Sequence, residues 1–65
     1  MSAYRLYCMD GAGCIALADW VEARADDDAI AKVRALGIEA HRCEIWQGTR
    51  LVATLNGSGR LERLA

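Results

Sequence analysis

The sequence predicts an α+β fold: β-hairpin, helix, β-hairpin (ββαββ), with one mainly antiparallel sheet and a single helix on one face. Three observations point there. Four short segments lean towards aromatic and branched residues, as strands do. One segment carries apolar groups at helical spacing between a start signal and a stop signal. Glycines, without a single proline, punctuate the chain at Asp10-Gly11-Ala12-Gly13, Gly48 and Asn56-Gly57-Ser58-Gly59.

The first hairpin joins Tyr4–Met9 to Cys14–Ala23. A four-residue loop at Asp10–Gly13 sets Met9 against Cys14, Cys8 against Ile15 and Leu6 against Leu17. One face then carries Tyr4, Leu6, Cys8, Ile15, Leu17 and Val21, and Asp19 falls on that same side, at a sheet end or a bulge.

The helix is predicted from Asp27 to Leu36. Asp26 is placed to cap it, and Asp27 and Asp28 put negative charge at the positive end of its dipole. Ala29, Ile30, Val33 and Leu36 form one apolar stripe, and Gly37 suits a left-handed stop with Ile38 folding back onto Val33.

The second hairpin joins Arg42–Ile45 to Thr49–Leu55. A three-residue loop, Trp46-Gln47-Gly48, separates the faces best, with Cys43, Ile45, Leu51, Ala53 and Leu55 on one side. Two-residue turns at Gln47-Gly48 or Gly48-Thr49 mix apolar and polar groups on each face. Strands flanking the helix are expected to run parallel if they are neighbours. Residues 1–55 make the domain, and residues 56–65 a tail, loosely held or forming a short extra strand.

Size and charge narrow the function. With 65 residues the chain is one small domain, and of its 54% apolar residues twelve are Ala. So little bulk leaves stability thin without a staple or a partner subunit. Eight basic and nine acidic residues give a net charge of −1, with no basic stripe for duplex nucleic acid. No apolar run approaches a membrane span and no leader is readable, so a cytoplasmic protein with reduced thiols is expected.

The chemistry-bearing residues do not converge. Cys8, Cys14, Cys43 and His41 lack the spacing of a zinc site, and Cys14 points away from the others in the expected register. His41 and Cys43 stand two residues apart, a pattern a strand end produces without a catalytic dyad. Asp26, Asp27 and Asp28 fan around a helix start and are explained by capping. Asp10–Gly13 leads into a strand, not a helix, so it offers no phosphate cradle. The expectation is no enzyme, no cofactor and no metal.

What remains is the sheet face opposite the helix. It is expected to carry Arg5, Tyr7, Met9, Cys14, Ala16, Ala18 and Trp20, then Arg42, Glu44, Val52 and Thr54, with Trp46 at its end. One helix cannot cover both faces, so this one is an exposed apolar patch of the kind that marks an interaction site. Tyr7, Met9, Ala16, Ala18, Trp20, Trp46 and Val52 are the expected contact residues. The partner is expected to be a second copy or another protein, with no membrane and no small molecule. The alternative is single-stranded nucleic acid stacked on Tyr7 and Trp20. Net charge, Glu44 within the face and the lack of an RNP-like motif disfavour it.

Tyr4-Arg5-Leu6-Tyr7, the acidic helix start Asp26-Asp27-Asp28, Cys43-Glu44-Ile45-Trp46 and Arg50-Leu51-Val52-Ala53 together resemble a group of short, uncharacterised alphaproteobacterial proteins. The resemblance covers most of the chain up to Leu55. It implies a bacterial cytosolic origin and no known activity.

Overall fold

A computed structural model describes residues 1–38, 40–56 and 61–63. The order is β1 (Ser2–Met9), β2 (Ile15–Ala23), α1 (Asp26–Ala35), β3 (Arg42–Gln47), β4 (Arg50–Asn56) and β5 (Leu61–Arg63). The strands form one five-stranded sheet in the order β2-β1-β3-β4-β5, every pairing antiparallel. This is the α+β, single-helix class that the pattern predicts, with one strand added. The strands flanking the helix, β2 and β3, are not neighbours: β1 lies between them and runs against both, so they are parallel to each other.

Of the two alternatives for the tail, the short extra strand is the one present at Leu61–Arg63, which pairs with β4 and sets Leu61 opposite Leu55. Pairing on that side makes β4 an interior strand, which is why Val52, Ala53, Thr54 and Leu55 are all buried. Asn56, placed in the tail by the sequence, ends β4. Residues 57–60 and 64–65 lie outside the described residues.

Two bulges rewrite the register. In the first hairpin Met9 faces Ile15 across a five-residue loop, and Ala16 is an extra residue, so Cys8 faces Leu17 and Leu6 faces Asp19. Asp10 builds that loop: its carboxylate accepts from the Ala12 and Cys14 amides at 2.9 and 3.0 Å. The loop adds one residue and the bulge another. From Leu17 onward the slip is therefore two residues, which returns each side chain to its expected face. Ile15 lies before the bulge and slips by one, so it is aligned with Met9 on the face away from the helix.

In the second hairpin the turn is Gly48-Thr49, with Gln47 facing Arg50 and Gly48 at φ 60°, a conformation that favours glycine. The three-residue loop is thereby corrected. Arg50 reaches Asp26 on the helix, which fixes Arg50 and, by alternation, Val52 on the covered side. Ile45 pairs with Ala53, also on that side, while Trp46 pairs with Leu51 on the other. Val52 is the extra residue between those pairs. The bulge unmixes the faces that a two-residue turn would otherwise scramble.

The core is the layer between helix and sheet: Tyr4, Leu6 and Cys8 of β1, Cys43 and Ile45 of β3, Val52, Ala53 and Leu55 of β4, and Ala23, Ala29, Ile30 and Val33. Ile15 and Leu17, expected in it, are exposed: Ile15 is turned to the uncovered face ahead of the bulge, and Leu17 stands on β2, the sheet edge. Leu36, expected on the buried stripe, is the exposed C-cap. Gly37 at φ 64° ends the helix as the sequence indicates.

The helix start is corrected too. Ala25 is the N-cap, with an extended backbone and no side-chain cap, and Asp26 is the first helical residue. Its carboxylate is taken elsewhere: Tyr4 donates its hydroxyl to Asp26 at 2.9 Å, and Arg50 donates two bonds to it at 3.0 Å each. Asp28 instead reaches back to the chain entering the helix, accepting the Arg24 amide at 3.0 Å. That bond, then Lys32, holds the Asp28 carboxyl below its ordinary value.

Candidate functional site: the uncovered sheet face

The face away from α1 is built from rows that run across the strands. Trp20, Arg5, Trp46 and Leu51 form one row, from β2 through β1 and β3 to β4. The next row is Ala18, Tyr7, Glu44, Thr54 and Glu62, and the third is Ile15, Met9, Arg42 and Asn56. Side chains opposite each other on one face lie close enough to interact.

Arg5 sits at the centre of the aromatic groups. Its guanidinium carbon lies 4.8 Å from the Trp20 ring centroid and 5.4 Å from that of Tyr7, within cation–π range of both. The flat cation shields part of each ring and fixes Trp20 across the strand. On β3, Arg42 pairs with Glu44 at 3.1 Å, and the Trp46 indole N–H donates to the same carboxylate at 3.2 Å. Arg42 and Glu44 are thus partnered within the face, while Arg5 is stacked on its rings.

Of the expected contact residues, Tyr7, Met9, Ala18, Trp20 and Trp46 lie on this face. Trp20 is 58% exposed, while Tyr7, Met9 and Trp46 are half-buried by their neighbours. Ala16 is exposed but is the bulge residue of β2, so it leaves the flat centre and Ile15, 61% exposed, takes its row. Val52 is the clear correction: it is fully buried in the core, because the β4 bulge turns it to the helix side. Leu51 replaces it on the open face. Strict alternation missed both exchanges, since a bulge leaves no mark in the pattern that alternation reads.

The cysteines and acids resolve differently from the sequence expectation. Cys8 and Cys43 are joined as a disulfide across β1 and β3, so they are not two reduced core thiols; Cys14 is free and exposed. An odd cysteine count leaves one thiol over and does not forbid a pair. Cys43 is already bonded, so it is no free thiol beside His41; His41 precedes β3 and donates its amide to the Met9 carbonyl at 3.1 Å. Asp19 is exposed on the edge strand and accepts the Trp20 amide at 2.8 Å, while the Tyr4 hydroxyl goes to Asp26. Among the described residues no helix is long and apolar enough to cross a membrane. No family model, curated protein or solved structure matches the chain.

Proposed function

We propose that the chain is a non-enzymatic interaction module whose uncovered sheet face binds a second copy of itself. The observation that carries this reading is the position of Ile15 and Trp20, 61% and 58% exposed, beside Tyr7, Met9, Trp46 and Leu51 on a sheet with its one helix on the other side. Apolar side chains left in water in one contiguous patch mark a contact surface. The same face carries Arg5 and Glu44 in adjacent rows, a mixture that a two-fold axis can bring into register with itself. Stacking sheet on sheet also supplies burial that 65 residues do not provide alone.

Reduced thiols go with a cytoplasmic placement, and the Cys8–Cys43 bond departs from that expectation. The oxidised chain is the form we propose to be active. Ala18 lies in the row between Trp20 and Ile15 and has room for a larger group in the free chain. Ala18→Arg should halve the mass seen in sedimentation while the circular dichroism of the fold is kept. A variant with the parent's mass removes this face from the contact. Single-stranded nucleic acid is the other outcome: oligonucleotide affinity falling steeply with salt would replace the protein reading.

A further inference from the structure

We infer that Cys43 is a thiol-exchange site, reached through the cavity at the C-terminal end of α1 by a small thiol that carries a carboxylate. The two halves of the disulfide differ in access. Cys8 is 1% exposed in the centre of the core, whereas Cys43 is 6% exposed and lines a cavity of about 270 Å³. Val33, Ile38 and Leu55 form its apolar wall, and Arg34 is the charged residue that lines it. That space admits a side-chain-sized molecule and no protein reductant. Arg34 gives it a positive charge, which attracts a carboxylate and favours the thiolate, the attacking form.

The step is one thiol–disulfide exchange. The incoming thiol loses its proton to water, and its sulfur attacks Cys43 Sγ. The Cys8–Cys43 bond breaks and its electron pair leaves on Cys8 Sγ. Cys8, in apolar surroundings that disfavour the anion, takes up a proton. One disulfide replaces another, with no net oxidation. The product carries the small thiol on Cys43 in the cavity and a buried Cys8 thiol. It also lacks the covalent tie between β1 and β3, the two strands that bear Arg5, Tyr7 and Trp46 on their other side.

The test uses the oxidised full chain with Cys14→Ser, so that the exposed thiol cannot react. 3-Mercaptopropionate, an acidic thiol, and cysteamine, a cationic one of similar size, are supplied at equal thiolate concentration, and early time points are acid-quenched and mapped by mass spectrometry. The expected adduct is on Cys43, with 3-mercaptopropionate faster than cysteamine and Arg34→Gln reducing that preference about threefold, as one nearby unit charge in wet surroundings does. An adduct on Cys8, rates blind to thiol charge and to Arg34, or exchange seen only in urea would each overturn the assignment. The readout is the position and rate of the adduct and not the mass of an assembly, so its failure leaves the proposed self-association untouched.

Discussion

Tyr4, Asp26 and Arg50 show how much of this fold rests on a few polar side chains. Tyr4 is 2% exposed, and its hydroxyl would be an unsatisfied buried group without the Asp26 carboxylate. Arg50 closes the other side of that carboxylate in a two-pronged contact and also bonds Gln47, tying the β3–β4 turn to the start of the helix. Burial first, then the bond to Asp26, raise the Tyr4 phenol above its ordinary value of 10.0. A phenol with a raised native value contributes stability that is full below the ordinary value and is lost as pH climbs through the raised one. Urea stability of the parent should therefore decline above about pH 10, and Tyr4→Phe should flatten the decline at a cost of about 1 kcal/mol at neutral pH. If parent and variant fall in parallel at alkaline pH, Tyr4 is not the group responsible. None of these partnerships was legible beforehand. Capping was the only role that the acidic run suggested, and the claim on Asp26 comes from strands that the chain places far from it in sequence.

At the scale of elements, local signals were legible and pairing details were not. Gly37 marks the helix end, Asp10 organises the first turn, and the alternation of Tyr4, Leu6 and Cys8 names the buried face of β1 correctly. The extra residues Ala16 and Val52 exchange Ile15 and Leu51 for themselves, because bulge position is set by how neighbouring strands twist and pack and not by composition. Strand order was equally hidden, and with it the edge position that leaves Leu17 in water. On that edge Asp19 sits on the helix-facing side of β2, opposite Leu6, where its charge discourages another strand from adding to the sheet. The edge is guarded; the open face is not. The disulfide joins β1 to β3 across a sequence separation of 35, which constrains the unfolded chain by about 4 kcal/mol in the chain-entropy account. Native reduction with a phosphine should lower the urea midpoint by a matching amount. Coincident midpoints for oxidised and reduced protein would show that strand pairing alone holds the hairpins together.

For the molecule as a whole, the governing fact is an imbalance between sheet and cover. Five strands present two faces, and α1 with its buried Ala29, Ile30 and Val33 covers one of them. That imbalance was readable from the sequence, which holds a single helical stripe, and it survives every correction to the register. Leu6 is fully buried and Trp20 is out in solvent, as the count of faces requires. A second copy would cover what the helix leaves open. Sedimentation equilibrium of the oxidised chain across micromolar concentrations tests this most directly. The account predicts a mass approaching 14.2 kDa, twice the 7.1 kDa of one chain, as concentration rises. A mass fixed at 7.1 kDa throughout that range would contradict it.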